Sequence, residues 1–546
     1  MTIAKHGREW CQCLVAAWIA LVSPLWGQDP VDQTLHPRGP YLQLVRPTSA
    51  VFRWRTTEPS TSRVEVGRIP GRPLTAVHKL AMTTEHEIEV DGLLPGTVYF
   101  YSVGSTMEIL AGNDTDHLFF TAPIVGSREP IRIWAIGDSG TNNTEFGGGE
   151  GAVRVRDAYQ AFTRGAYTHV WLMLGDNAYE SGRDYEYTFA VFETYHEILR
   201  QTALWPSIGN HDGLSSSSRL QTGPYYESFT LPTLGEAGGE PSMTEAFYSF
   251  DYSNIHFIAL ESDSLDRTSE GMMRPWLEAD LAQNTQDWTI AYFHHPPYTR
   301  GSHNSDGEFS LTQMREHIIP VLEAGGVDLV LAGHSHAYER SYLMNGHYGL
   351  SRTLVGDMVL DCRSGNPDID GSYVKTTSGS NAGRGTVYVV NGSSGGRFGF
   401  GALNHPIMHF STLAPGSLII DVDGLRLEAQ FLRFDGEVVD RFVIEKTDDN
   451  IEVQPCVDYL RGDANLDSRV NVADASWILL RLFAGSRSLS CDAAGDTDRD
   501  GRLNVTDAVY LLRHLFEGGP PPPAPFPACG PHPDAGLTCA YYFVCQ

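Results

Sequence analysis

Basic residues are scarce in this chain relative to acidic ones. Its 546 residues include 39 Lys and Arg against 67 Asp and Glu, which gives a formal net charge of −28. Such a chain lacks the Lys and Arg field on which sequence-independent nucleic-acid binders and binders of anionic membranes depend. Charged residues make up only 19% of the sequence and aromatic residues 11%, a composition too apolar for a disordered chain. The length predicts several globular domains.

Long apolar runs are absent beyond the N-terminus, so we expect no membrane span in the body of the chain. At the N-terminus, Lys5 and Arg8 precede the apolar run 13–22, and Gly27 offers a cleavage position. This layout predicts a secretory signal peptide over residues 1–27 and a secreted or cell-surface-associated protein. An uncleaved anchor is the alternative, but the run is shorter than the roughly 20 residues that a span needs.

The chain also lacks a Cys-x-x-Cys pair, and we set cysteine catalysis aside. Cleavage of the signal would remove Cys11 and Cys13. The cysteines that remain are even in number, which in an exported chain predicts disulfides without determining their pairing. They are Cys362, Cys456, Cys491, Cys529, Cys539 and Cys545.

Composition and patterning divide the chain into segments. Short alternating strands over 37–124 predict a β-sandwich. Apolar runs that alternate with helix-like stretches such as 152–165 and 312–324 predict an α/β layered core over 130–446. The remaining segments are a polar linker (447–456), a repeat of period 33 within 457–517, and a Pro- and Cys-rich tail (518–546).

Polar metal-binding side chains follow five apolar runs of the predicted core. The runs and their ends read IRIWAIGDSG, HVWLMLGDNAY, LWPSIGNHD, WTIAYFHHPP and DLVLAGHSHAYER. Because strand ends within one sheet converge, we expect these donors to share one centre. The donors are Asp138, Asp176, Tyr179, Asn210, His211, His294, His334 and His336.

This mixture of imidazole, carboxylate and amide oxygen suits first-row transition metals rather than a thiolate zinc site. The number of donors favours two metal ions, with the Asp176 carboxylate as the natural bridge. Two cations close together are typical of phosphoryl-group hydrolysis, in which they activate a hydroxide and neutralise phosphoryl oxygens. His211, next to Asn210, is placed to donate a proton to the leaving group.

The ordered motifs GDSG, GDNAY, GNHD, HHPPY and GHSHAYER resemble those of purple acid phosphatases, within the calcineurin-like metallophosphoesterases. Generic members of that larger family carry a histidine where Gly140 stands here, and Tyr179 offsets the lost ligand as in the purple enzymes. The resemblance implies a four-layer (αββα) core. Leu93–Tyr101 resembles the tyrosine-corner region of fibronectin type III-like domains, which often precede that core.

The resemblance also implies a ligand assignment and an activity. Fe(III) would be held by Asp138, Asp176, Tyr179 and His336, and a divalent partner (Fe, Zn or Mn) by Asp176, Asn210, His294 and His334. We choose His294 over His295 from the family spacing. The implied reaction is acid phosphatase hydrolysis of a phosphate monoester by attack of metal-bound hydroxide, with His211 as proton donor.

His303 matches a substrate-facing histidine of plant relatives. Its neighbour in those relatives is often a second histidine, whereas this chain has Asn304. A solvated loop residue is the alternative interpretation of His303.

Two acidic loops in the repeat have oxygen donors at calcium-loop spacing. Gly501 fills the sharp-turn position of the second loop, but Ser468 replaces glycine in the first and predicts a weaker site. One amphipathic helix after each loop resembles the dockerin type I module, which implies a small α-helical domain and a possible cohesin-like partner. The predicted calcium ligands are Asp463, Asn465, Asp467, Arg469, Asn471 and Asp474, then Asp496, Asp498, Asp500, Arg502, Asn504 and Asp507.

Two alternatives to the phosphomonoesterase hypothesis remain open at this point. The same two-metal motifs serve phosphodiesterases and nucleotide hydrolases. An adhesion or scaffold protein with a catalytically dead centre is a different class, and the intact donor positions count against it.

Overall fold

The structure of the chain is a computed structural model. It describes residues 37–141, 151–354, 358–396, 400–449, 459–484 and 491–530, together with Leu537 and Cys545. The predicted signal peptide and most of the predicted linker lie outside these residues. The described residues from 37 onwards form one compact unit, so the predicted domain boundaries stay predictions.

The N-terminal strands form one hydrogen-bonded sheet built around two long strands. The first half of β2 pairs with β1, its second half pairs with β4, and β3 pairs with both halves. The Tyr99 hydroxyl accepts a hydrogen bond from Leu94 N at 3.0 Å, a short upstream contact of the tyrosine-corner kind. The fibronectin type III-like identification stays a prediction. The strands are β1 Arg38–Gln43, β2 Ser49–Gly67, β3 Thr75–Asp91, β4 Val98–Gly104, β5 Ile109–Gly112 and β6 Leu118–Phe120.

The predicted α/β core contains two seven-stranded sheets. Its apolar runs form strands because they are buried on both faces, as the fully buried β8 illustrates. The first half of the core contains β7 Ile131–Ile136, α1 Gly151–Thr163, β8 Val170–Leu174, α2 Asp184–Tyr187, α3 His196–Leu199, β9 Leu204–Ser207, α4 Pro224–Ser228, β10 Tyr248–Tyr252, β11 Ile255–Ala259, α5 Met273–Gln283 and β12 Trp288–Phe293.

The second half of the core is richer in antiparallel strands. It contains α6 Phe309–Gln313, α7 Ile319–Ala324, β13 Leu329–Ala332, β14 Tyr338–Ser341, β15 Leu343–Met344, β16 Val359–Asp361, β17 Tyr373–Thr376, β18 Val387–Asn391, β19 Met408–Thr412, β20 Gly416–Asp423, β21 Arg426–Arg433 and β22 Val438–Thr447. One sheet has the order β10-β11-β12-β13-β18-β14-β19, and the other has the order β17-β22-β21-β20-β7-β8-β9.

The strands that carry the donors are divided between the two sheets, whereas the convergence of strand ends predicts one sheet. Strands β7, β8 and β9 run parallel in one sheet, and β11, β12, β13 and β18 run parallel in the other. The sheets are joined by side-chain contacts such as Asn391 Nδ2 to Ala135 O at 2.9 Å. Parallel strand ends from both sheets therefore meet at one place.

The C-terminal repeat forms two equal helices that pack against each other. They are α8 Val472–Ala484 and α10 Val505–Glu517, and the short helix α9 Asp492–Gly495 lies between them in the chain. Cys529 and Cys545 form a disulfide, and Cys362 and Cys491 are also disulfide-bonded. In the part of the chain that the structure describes, no helix combines the length and hydrophobicity needed to cross a bilayer.

Candidate metal centre

The first group of donors gathers around the phenolic oxygen of Tyr179. This oxygen lies 3.1 Å from Asp138 Oδ1, 2.9 Å from Asp176 Oδ2 and 3.4 Å from His336 Nε2. Asp138 and Asp176 each follow a strand and a glycine, and both adopt left-handed backbone conformations with φ of 54° and 51°. The sharp turn directs each carboxylate back over its strand end. Four predicted ligands therefore converge on one point.

The second group gathers around the amide oxygen of Asn210. Asn210 Oδ1 lies 3.0 Å from His294 Nε2 and 3.0 Å from His334 Nδ1. His294 Nε2 is also 3.4 Å from Asp176 Oδ1. The other nitrogen of His294, Nδ1, lies 2.9 Å from Leu174 O, so the ring donates there and leaves Nε2 as a lone-pair donor.

Asp176 is the residue shared by the two groups. Its Oδ2 faces Tyr179 and its Oδ1 faces His294. The side chain is 3% exposed, so both oxygens are held in a fixed, dry position. The predicted bridging position is therefore geometrically available to this carboxylate.

The same distances bear on the choice between His294 and His295. His295 Nδ1 lies 3.0 Å from Ser262 Oγ, and its ring packs on the ring of His334 with centroids 4.4 Å apart. His295 thus supports a candidate ligand, whereas His294 points at Asn210 and Asp176. Ligand atoms of His294, His295 and His334 also lie close enough together to hold one ion, so the choice of His294 stays a prediction.

Buried charge makes the protonation of these side chains unusual. Burial opposes ionisation of Asp176, but His294 and His211 outweigh it and hold the pKa of Asp176 well below its ordinary value. Burial likewise lowers the pKa of His294, but Asp176 and Asp138 outweigh it and raise that pKa to about 10. For His334, burial dominates and lowers the pKa to about 4. A metal cation would replace the proton on His294, and its donors would then be anionic oxygens beside neutral imidazole.

Gly140 stands where no side chain fits. A Cβ atom at Gly140 would lie 2.6 Å from Ala178 N, in the loop that carries Tyr179. Tyr179 N donates to Gly140 O at 3.1 Å, so the two loops touch backbone to backbone. A histidine at position 140 is therefore incompatible with this approach of the Tyr179 loop.

Residues 131–338 match the family described as calcineurin-like phosphoesterase. The segment is therefore similar to the calcineurin-like metallophosphoesterases. Its relatives include the probable purple acid phosphatase 20 of Arabidopsis thaliana, 26% identical over 326 residues, which are 57% of this chain and 70% of that protein. Purple acid phosphatase 22 of the same plant is 29% identical over 265 residues, 47% of this chain and 53% of that protein, so the chain spans about half of this relative.

Among solved structures, the metallophosphoesterase fold is shared with a purple acid phosphatase isolated from yellow lupin (Lupinus luteus) seeds. The TM-score is 0.57 with 18% sequence identity, and the superposition covers 75% of this chain and 74% of the lupin chain. At this identity the likeness concerns the fold.

The predicted proton donor, His211, lies at the edge of the metallophosphoesterase site. Its Nδ1 lies 2.6 Å from Glu180 O and its Nε2 lies 3.9 Å from Asp176 Oδ2. With Nδ1 donating to the carbonyl, Nε2 faces the site. The side chain is 29% exposed, so it reaches both the donors and solvent.

His303 lies against the candidate ligand His334, with ring centroids 3.8 Å apart. Its Nδ1 is 2.8 Å from Glu308 Oε2, and the same oxygen lies 3.7 Å from His334 Nε2. These contacts favour a position of His303 at the site over the alternative of a solvated loop residue. Sequence reasoning missed Glu308, whose only signal is its position five residues after His303.

Sequence reasoning also missed two supporting carboxylate and hydroxyl groups. Asp212, fully buried, accepts hydrogen bonds from Asn177 N at 3.1 Å and Gly209 N at 2.9 Å, so it ties together two donor loops. Ser262 follows β11, and its Oγ forms a hydrogen bond with Nδ1 of His295. The signal for Ser262 was the run IHFIALESD, which ends in polar residues like the five runs already recognised.

The two acidic loops of the repeat share one hydrogen-bond pattern. Asp463 accepts from Asp467 N and Ser468 N at 3.0 and 2.9 Å, and Asp496 accepts from Asp500 N and Gly501 N at 3.2 and 3.2 Å. The last predicted ligands, Asp474 and Asp507, accept from Asn471 N and Asn504 N at 2.8 and 2.8 Å. The predicted ligands therefore lie on matched, curled loops.

Burial without a counter-charge raises the pKa of the last ligand in each loop, to about 6 for Asp474 and about 7 for Asp507. Oxygen atoms of Asp496, Asp498 and Asp500 lie close enough together to hold one ion. Oxygen-rich loops of this kind match the preference of calcium.

Proposed function

We propose that this protein is an exported acid phosphatase that hydrolyses phosphate monoesters at a binuclear metal centre. The observation that carries the proposal is the division of donors around Asp176, with one oxygen facing each group. We assign Fe(III) to Asp138, Asp176, Tyr179 and His336, since a tyrosinate oxygen is a hard anionic donor. The divalent ion (Fe, Zn or Mn) then belongs to Asp176, Asn210, His294 and His334.

When bound, the two cations lower the pKa of coordinated water and neutralise phosphoryl oxygens. The protein's own residues orient and protonate. Glu180 O fixes His211 so that Nε2 points into the site, where it donates a proton to the leaving oxygen of the ester. His303, held by Glu308 at 2.8 Å, would offer its other ring nitrogen to the phosphate.

Hydrolysis of two chromogenic substrates tests the monoester assignment. Protein loaded with iron and zinc should cleave p-nitrophenyl phosphate with a kcat/KM at least tenfold above that for bis(p-nitrophenyl) phosphate. The reverse order would replace the monoesterase by the phosphodiesterase alternative. Failure of metal-loaded protein to cleave either substrate would favour the scaffold alternative.

The C-terminal repeat is proposed as a dockerin-like calcium module that attaches the enzyme to a cohesin-like partner. Support comes from the matched hydrogen bonding of the two loops and from apolar residues exposed on their helices, such as Phe483 at 76% and Phe516 at 70%. Calcium titration of the full chain, followed by tryptophan fluorescence of Trp477 on α8, tests binding. A chelator should reverse the change.

A further inference from the structure

Two arginines of the N-terminal sheet form hydrogen-bonded ion pairs with one aspartate of the α/β core. Arg38 Nη2 donates to Asp184 Oδ1 at 2.7 Å and to Asp184 O at 2.9 Å. Arg55 Nη1 and Nη2 donate to Asp184 Oδ2 and Oδ1 at 2.6 and 2.8 Å. The second contact is a two-bond fork, the strongest form of arginine–carboxylate pairing. We call Arg38, Arg55 and Asp184 the arginine clamp.

Arg38 is buried completely at this contact. Its Nε lies 3.2 Å from Thr188 Oγ1, its Nη1 lies 2.9 Å from Ser228 Oγ, and its guanidinium carbon is 4.2 Å from the centre of the Phe192 ring. Burying an arginine costs several kcal/mol unless its hydrogen bonds are met. Every nitrogen of this guanidinium has a partner in the core, so the contact is a fitted one.

Asp184 begins α2, and α2 anchors the loop that carries Tyr179. The Glu186 carboxylate accepts hydrogen bonds from Glu180 N at 2.8 Å, Ser181 N at 3.0 Å and Arg183 N at 2.8 Å. Glu186 of α2 therefore holds the segment 180–183 in place. If Asp184 moved, α2 would move with it and would displace the peptide that follows Tyr179.

The same short helix reaches the second donor group. Tyr187 OH, at the end of α2, donates to Asp212 Oδ1 at 2.5 Å. Asp212 in turn accepts from Asn177 N and Gly209 N, next to Asp176 and Asn210. Helix α2 thus holds both donor loops, and the arginine clamp holds its start.

We propose that Arg38 and Arg55 are positioning residues for the metal centre, acting through Asp184 and α2. The N-terminal sheet then belongs to the working site, because it fixes the tyrosine ligand and the proton donor bound to Glu180 O. The part of this inference that concerns metal affinity rests on the proposed function.

The test compares clamp variants with a matched control on the same strand. Arg55→Met and Asp184→Asn each remove the fork, and Asp184→Asn does so with almost no change of volume. Arg53→Met is the control, since Arg53 also crosses to the core but donates to Glu227 O at 2.6 Å and Thr230 Oγ1 at 3.2 Å rather than to a residue of α2. All variants are made in the full chain.

Two readouts are measured, and one of them needs no metal. Hydrogen exchange of residues 177–187 should accelerate at least tenfold in both clamp variants and stay within twofold of wild type in the control. Zn²⁺ titration of metal-depleted protein by calorimetry should show affinity about tenfold weaker in the clamp variants, as expected for loss of a residue that orients ligands.

Exchange in the clamp variants that matches the control would overturn the inference, whatever the Zn²⁺ result. Accelerated exchange with unchanged Zn²⁺ affinity would also overturn it, since the loop would then move without consequence for the site. If wild-type protein binds no Zn²⁺, the proposed function fails, while hydrogen exchange still decides whether the clamp fixes the loop.

Discussion

A buried histidine that belongs to neither donor group should make the stability of the core depend on pH. His256 on β11 is 2% exposed, and its ring nitrogens lie 2.8 Å from Asp251 Oδ1 and 2.8 Å from Asp280 Oδ2. Because ionised carboxylates only accept hydrogen bonds, both nitrogens must carry protons and the ring is an imidazolium. Burial lowers the pKa of His256, but the two carboxylates outweigh it and raise the pKa from 6.5 to about 9.

The size of the effect follows from that shift. One pKa unit corresponds to about 1.4 kcal/mol, so the charged form contributes roughly 3 kcal/mol to the free energy of unfolding. The folded-state pKa is raised above the unfolded value. The contribution is therefore complete below pH 6.5, and it is lost as the pH rises through about 9.

Urea denaturation between pH 6 and 10, followed by fluorescence of the buried core tryptophans, measures this loss. Wild type is compared with Asp251→Asn, which keeps the shape of the side chain and removes one of the two charges. Lys375 makes the comparison necessary. Burial lowers its pKa to about 8, so its contribution to the free energy of unfolding increases as the pH rises above 8. That contribution is common to both proteins and cancels in the difference.

The variant keeps one carboxylate and so roughly half of the shift. The free energies of unfolding of the two proteins should therefore converge by about 1.5 kcal/mol between pH 6 and 10. Parallel curves over this range would refute the reasoning and place a neutral ring between the two aspartates.

Three further predictions concern the proposed sites. Tyr179→Phe should bleach the visible absorption of iron-loaded protein, and a band that survives would exclude Tyr179 as the iron ligand. Ser468 has a left-handed φ of 69°, so Ser468→Gly should relieve roughly 1 kcal/mol and tighten calcium binding about fivefold, whereas equal affinities would show that the turn is unstrained. Glu308→Ala should lower kcat/KM about tenfold but have no effect when His303 is already alanine; additive losses would show that Glu308 acts independently.

The donor set was predictable from sequence because each donor follows an apolar run within a few residues. Strands buried on both faces are recognisable as unbroken apolar stretches, and their carboxyl ends are where functional groups gather. The assignment of each strand to one of the two sheets was not predictable, since strand pairing such as that of β13 with β18 joins residues far apart in the chain. Strand β10 was missed because polar residues alternate with its aromatic ones, whereas β11 carried the same signal as the five recognised runs.

The supporting contacts lie beyond local pattern. Arg38 and Asp184 are 146 positions apart, and neither belongs to a motif. Asp212 is the last residue of the motif GNHD, but its hydrogen bonds to two loops depend on the position of Asn177 in the folded chain. Residues whose chemistry is local were predictable, whereas those that act through tertiary contact required the fold.

The close approach of backbone around the donors has a consequence for how the proposed enzyme could change its substrate. A Cβ atom at Gly333 would lie 2.5 Å from Asp138 Oδ2 and 2.7 Å from Leu174 O, and Gly140 is equally confined. These glycines form the floor of the site, which therefore tolerates almost no substitution. Variation is available at the rim, around His303 and Asn304. Laboratory evolution toward new phosphoesters should accumulate its changes there, and libraries directed at the floor should yield mostly inactive protein.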